Sequence, residues 1–133
     1  MVEKISAMAI VITKRKKVLL LNSEGEWVFP KGHVEASESL VDAAIREIKE
    51  ESDIDISSSE CLGQVDEFKF YFDGEKAVKV IKVLAFLIDR QRPITYKEEE
   101  CFIDGKWVSV SDAFEMLAHD DAKAALRKAI AKI

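Results

Sequence analysis

Cysteine is nearly missing: Cys61 and Cys101 are the only two, and they stand 40 positions apart. That spacing offers no disulfide framework and no paired-cysteine metal motif, so two reduced cytosolic thiols are expected. Long apolar runs are missing too. The longest, such as Ala7 to Ile12 and Val83 to Ile88, fall far short of the roughly 20 residues that cross a bilayer. The opening MVEKISAMAI has no basic segment followed by an apolar block and a cleavage site. Export is therefore not expected, and the cytoplasm is the expected compartment. No repeat, low-complexity tract or linker interrupts the 133 residues, so a single domain over 1–133 is expected. An excess of positive charge is also absent. The net charge of −5 does not suit a partner such as duplex nucleic acid. The one dense basic run, Lys14 to Lys17, reads as a solvated turn between two strands. An acidic chain that takes a polyphosphate is expected to do so with divalent cations. Oligomeric state is not readable.

What is present is a set of short periodic segments. Ile5 to Thr13 is rich in β-branched and apolar residues and predicts a strand, with Val18 to Asn22 as its hairpin partner. Asn22 to Glu26 is a loop, and Trp27 to Phe29 a short extended piece held out of helical geometry by Pro30. A helix is predicted from Ser37 or Ser39, as N-cap, to about Ser52. Cys61 to Phe72 and Ala77 to Asp89 predict strands joined through Asp73-Gly74. Lys106 to Val110 predicts another, followed by a helix over Asp112 to His119 capped by Ser111. Ala122, Leu126, Ala129, Ile130 and Ile133 fall at helical spacing. This order suggests a sheet packed between helices.

The central helix carries an anomaly. Val41, Ala44, Ile45 and Ile48 form its apolar side, while Glu47, Glu50 and Glu51 line an adjacent stripe. Carboxylates three and four apart repel, and near a helix C-terminus the dipole also disfavours them. A solvated acidic face is the common explanation. The stripe borders the core, however, and Pro30-Lys31-Gly32 precedes it. Carboxylates with a backbone carbonyl are the hard oxygen ligands that Mg²⁺ or Mn²⁺ takes.

The stretch GHVEASESLVDAAIREIKEESDI, Gly32 to Ile54, resembles the Nudix box. Gly32, Glu38, Arg46, Glu47, Ile48, Glu50, Glu51 and Ile54 fit its pattern. Six such charged or glycine positions coincide by chance about once in ten million start sites. The box's second glycine is Asp53 here. That position favours a left-handed residue, which Asp tolerates at roughly 1 kcal/mol. The resemblance implies an α/β fold, a Nudix-like α/β/α sandwich with a central mixed sheet and a loop-helix-loop box. It also implies hydrolysis of a nucleoside diphosphate linked to another moiety. By the same resemblance Glu47, Glu50, Glu51 and the Gly32 carbonyl would hold Mg²⁺ or Mn²⁺. Arg46 would orient a box glutamate, and Glu38 would hold the loop or meet a metal through water. One box glutamate, or one from the pool Glu98, Glu99 and Glu100, would take a proton from water, with Glu100 the first choice.

The stretch Gly25 to Glu35, GEWVFPKGHVE, resembles the approach to the box in asymmetric diadenosine-tetraphosphate hydrolases. Diphosphoinositol polyphosphate phosphohydrolases share the Pro-Lys-Gly portion. Diadenosine tetraphosphate, cut to ATP and AMP, is thus the favoured substrate. Nucleoside triphosphates, diphosphoinositol phosphates and RNA 5′ ends are alternatives, as is a non-catalytic nucleotide-binding module. Lys31 could cover phosphate charge. Lys79 and Lys82 could do the same, but they face opposite ways on a strand, so at most one meets the cleft. Among Phe68, Phe70, Tyr71 and Phe72, Tyr71 is the best platform for a purine. Trp27 and Trp107 read as packing residues.

Overall fold

A computed structural model describes residues 2–72, 74, 76–96 and 98–133, with the Glu98 side chain outside the description. In chain order the strands and helices are β1 (Val2–Thr13), β2 (Lys17–Ser23), β3 (Glu26–Val28), β4 (Lys31–His33), α1 (Leu40–Ser52), β5 (Cys61–Phe72), β6 (Ala77–Ile88), β7 (Phe102–Ser109), α2 (Val110–Met116) and α3 (Asp120–Ile130).

The architecture is the expected mixed sheet between helices, with β1 at its centre. β1 runs parallel to β6 from Val2↔Ala77 to Thr13↔Ile88. Side chains alternate across a strand, so this one pair feeds two cores. Met8, Ile10 and Ile12 join Ile81, Val83 and Ala85 beneath α2 and α3. Ala7, Ala9 and Val11 join Leu84, Phe86 and Ile88 beneath Ala43, Ala44 and Ile48 of α1. Each fully buried Ile or Leu contributes about 1.5–3 kcal/mol.

Several boundaries differ from the sequence reading. The hairpin of β1 and β2 closes on the single registered pair Ile12↔Val18. The edge of β1 is shared instead with β4, at Ser6↔His33 to Met8↔Lys31. β2 pairs antiparallel with β7 from Lys17↔Ser109 to Ser23↔Phe102. Local apolar patterning identifies a strand but carries no information about a partner some 85 residues away. β7 accordingly starts at Phe102, four residues before the expected Lys106. The next helix is capped by Ser109, not Ser111: the Ser109 hydroxyl accepts the Asp112 N–H at 3.1 Å. That helix ends at Met116, and Ile133 lies beyond α3. β5 and β6 pair antiparallel from Cys61↔Phe86 to Phe72↔Ala77. Of the turn expected at Asp73-Gly74, Asp73 lies outside the described residues.

α1 starts at Ser39, whose hydroxyl accepts the Asp42 N–H, and stops at Asp53 with φ 60° and ψ 27°. The left-handed stop expected of a glycine is therefore made by Asp. Its N–H donates to the Lys49 carbonyl at 3.0 Å. The buried side of α1 is Ala43, Ala44, Glu47, Ile48, Glu51 and Ser52. It is rotated toward the glutamates, leaving Val41 and Ile45 only half-buried.

Candidate active site

Two elements meet at Gly32. β4 hydrogen-bonds to β1, and α1 lies across it, so the Glu47 carboxylate sits against the glycine Cα. A Cβ at Gly32 would overlap that carboxylate. Gly32 has no positive φ; the absence of a side chain is what the position requires. The Lys31 N–H points to Glu51 Oε1 at 3.4 Å.

Arg46 ties the loop before α1 to the helix. Its Nε donates to Glu38 at 2.8 Å and its Nη2 donates to Glu38 at 3.0 Å and to the His33 carbonyl at 2.8 Å. Its Nη1 reaches Glu47 at 2.7 Å and both Glu50 oxygens at 3.3 Å. Glu38 also accepts the Glu35 N–H at 3.0 Å. The Arg46 guanidinium holds the Glu38 carboxyl down to about 2, with help from that N–H. Glu38 thus braces the loop.

Glu47 and Glu51 are buried, Glu51 to 3 % exposure. Burial pushes Glu51 up to about 9, and the adjacent Glu47 carboxyl adds to the rise. Burial also raises Glu47, against the pull of Arg46. The pair behaves as two carboxylates that want one more positive charge than Arg46 supplies. Among the described residues no three acidic, imidazole or thiol groups are already set to hold a metal ion; Arg46 occupies Glu47 and Glu50. The donor set still fits a divalent cation. It offers hard oxygens, charge-starved and partly desolvated, beside a glycine whose missing Cβ lets the Glu47 carboxylate approach the backbone.

These groups line a groove of about 410 Å³ that also contains Glu100. Glu100 approaches closely enough for its charge to add to the rise at Glu51. Glu99 is exposed and does not line the groove, and the Glu98 side chain lies outside the described residues. Lys31, Glu51 and Phe102 are shared with a second cavity of about 650 Å³. Lys79 lines that cavity beside Lys31. Burial and the Lys79 ammonium hold the Lys31 amine below its usual range, against the pull of Glu51. Two amines side by side leave positive charge that anionic oxygens can meet.

Two expected residues fall elsewhere. Lys82 points to the opposite face of β6, where its ammonium lies 3.9 Å from Glu67. Tyr71 is 58 % exposed and does not line the cavity. The cause is strand alternation: Phe68 and Phe70 take the inward positions, and Tyr71 the outward one. Trp27 also lines the cavity, with the Lys106 ammonium 5.4 Å from its ring. Trp107 packs, as expected, and its Nε1–H donates to the Arg92 carbonyl at 2.8 Å. The far rim brings Glu24 and Glu26 to His119 and Asp121, with His119 Nε2 2.9 Å from Glu26. Sequence reasoning missed this rim, because no spacing links residues more than 90 apart.

Residues 3–132 match the family model of the NUDIX domain, and the chain belongs to the Nudix family. It is a hydrolase acting on nucleotide phosphoanhydrides, in a family that generally needs divalent metal ions. Over 113 residues it is 31% identical to the asymmetrical bis(5′-nucleosyl)-tetraphosphatase of Sus scrofa, covering 84% of this chain and 76% of that one. The fold is similar to that of the E. coli dihydroneopterin triphosphate pyrophosphohydrolase, with TM-score 0.76, 20% identity and full coverage of both chains. It is also similar to a C. elegans Ap4A hydrolase, with TM-score 0.70, 24% identity and 98% coverage of each. At such identities these two structures speak for the fold alone. No helix among the described residues is long and apolar enough to cross a membrane.

Proposed function

We propose that this chain cuts a phosphoanhydride bond in a dinucleoside polyphosphate, with diadenosine tetraphosphate giving ATP and AMP as the favoured reaction. The observation that carries the reading is that the two cavities share Lys31, Glu51 and Phe102. The groove that holds the buried carboxylate pair adjoins, at Lys31 and Glu51, an aromatic-walled space of about 650 Å³ that Lys79 also lines. In this reading Glu47, Glu50, Glu51 and the Gly32 carbonyl hold Mg²⁺ or Mn²⁺. A bound dication neutralises phosphate oxygens and lowers the pKa of water.

The protein's own groups do the rest. Arg46 orients Glu47 and Glu50. Glu100 reaches the groove from the loop before β7 and takes a proton from the attacking water. Lys31 and Lys79 hold phosphate oxygens between the groove and the larger cavity, and Phe68 and Phe70 give a base an apolar wall. The far rim, with Glu24, Glu26 and Asp121, supports a nucleoside there over a phosphorylated inositol, whose phosphates would face carboxylates. The relative from Sus scrofa, by its name a nucleosyl-tetraphosphatase, supports the same choice.

The test is a panel of dinucleoside polyphosphates, nucleoside triphosphates, diphosphoinositol phosphates and triphosphorylated RNA, each incubated with Mg²⁺ and the products identified. Diadenosine tetraphosphate should give the highest kcat/KM, with ATP and AMP as products. A higher value for another class replaces the substrate assignment.

A further inference from the structure

Glu100 stands on a connection, residues 89–101, whose only regular structure among the described residues is the single turn Glu98–Glu100. A chain of that length does not hold one carboxylate against a groove unless its backbone is fixed elsewhere, since every residue that is ordered loses conformational entropy. The first half of the connection is fixed by Arg92. The Arg92 guanidinium donates to Glu60 at 2.8 Å, to Asp89 at 3.2 Å and to the Asp55 carbonyl. The Arg92 carbonyl accepts the Trp107 indole N–H at 2.8 Å. Ile94 then fills the space left by the missing side chain of Gly105, where a Cβ would meet it at 2.7 Å. The Thr95 N–H donates to the Ser52 carbonyl at 2.9 Å, one residue beyond Glu51 on α1. At the other end Phe102 is buried and pairs with Ser23.

The connection is therefore clamped at residues 92–95 and again at 102, and Glu100 sits on the short span between. Arg92 touches no residue of the groove. We infer that Arg92 is a positioning residue for the hydrolysis, acting through the clamped backbone to set Glu100 against the Glu47–Glu51 pair. This inference rests on the reading of Glu100 given above. The Arg92 side chain meets Asp55 and Glu60 in the segment after α1 and Asp89 just past β6, while its backbone carbonyl accepts from Trp107 of β7, so one residue registers three elements to the loop.

The test is a double-mutant cycle on the best substrate of the panel, with kcat and KM measured for wild type, Arg92→Ala, Glu100→Gln and the double variant. Glu100→Gln should lower kcat roughly hundredfold. Arg92→Ala should lower kcat roughly tenfold, with KM within about twofold, because a misplaced catalytic group costs rate and not ground-state binding. The double variant should turn over no more slowly than Glu100→Gln alone. Multiplied losses, or an unchanged kcat in Arg92→Ala, overturn the inference. A wild-type rate in Glu100→Gln removes both the role of Glu100 and the inference, yet leaves the hydrolase intact. Failure of the wider reading is different: wild type then turns over no member of the panel. Trp107→Phe releases the Arg92 carbonyl with less disruption and serves if Arg92→Ala does not fold. Its loss of kcat should likewise vanish in the Glu100→Gln background, and a loss that persists there overturns the inference.

Discussion

At Glu51 a carboxyl group that would ionise freely in water is 3 % exposed and lies beside Glu47. Its pKa of about 9 stands well above the ordinary carboxylate value. The sign of its effect on stability follows. The contribution of a raised group is fully present below the unfolded pKa, and it is lost as pH rises toward the folded one. At neutral pH the metal-free fold must therefore keep a proton on Glu51. Glutamine mimics the protonated form. Glu51→Gln should raise the melting temperature of the protein in chelator at about pH 8, while lowering kcat by a factor on the order of a hundred or more. Thermal melts and steady-state rates on the same preparation check both halves. A variant that melts lower than wild type in chelator would show that the buried Glu51 carboxyl is not strained. Arg46 explains why the strain is bearable: one guanidinium serves Glu38, Glu47 and Glu50 together.

At the scale of the element, α1 is a helix with a good start and a strained stop. Ser39 caps its N-terminus, whereas Asp53 adopts φ 60° where glycine is favoured. An ion pair of Lys49 with Asp53, 3.1 Å apart at the surface, offsets little of this. Asp53→Gly should stabilise the fold by roughly 0.5–1 kcal/mol. That corresponds to about 2–4 °C in melting temperature for a chain of this size, with turnover unchanged. Differential scanning calorimetry decides it, and a lower melting temperature would show that the Asp53 side chain matters more than its backbone. The strands make the complementary point. On β6, Lys79 meets the cavity and Lys82 meets Glu67. Alternation predicted that only one could do so, but which one depended on the face that α2 and α3 cover, where Lys79 lies on the side of Ile81.

For the whole molecule, charge sets a window of stability. Arg92 holds Asp89 below its ordinary range, and holds Glu60 there too although burial alone would raise it. Glu38 is held at about 2 by Arg46. The contribution of depressed carboxyls is present above their unfolded pKa and is lost as pH falls through the folded one. Glu51 acts in the opposite direction. The metal-free protein should therefore melt highest at mildly acid pH, with the acid side falling from about pH 4 downward. The alkaline side should fall gradually toward pH 9. Divalent cation should lift the alkaline side most, since its binding displaces a proton from the pair. Melts across pH with and without Mg²⁺ test this, and a shift independent of pH would separate the cation from Glu51.

Much of this protein is legible in its residues. The box from Gly32 to Ile54 fixes a loop, a helix and its acidic stripe through spacing alone, because helical period and cap chemistry are local. The apolar runs mark β1, β2, β5 and β6 for the same reason, whereas β4, Lys31–His33, has no apolar run and only its pairing with β1 makes it a strand. Tertiary structure alone decided the partners: β1 beside β6, β2 beside β7, and Phe68 and Phe70 inward where Tyr71 faces out. It also decided that α1 buries Glu47 and Glu51 with its apolar side, and that Glu26 meets His119 across the cavity. Those choices follow from which faces can be covered together, a property of the packed chain as a whole that no window of sequence contains.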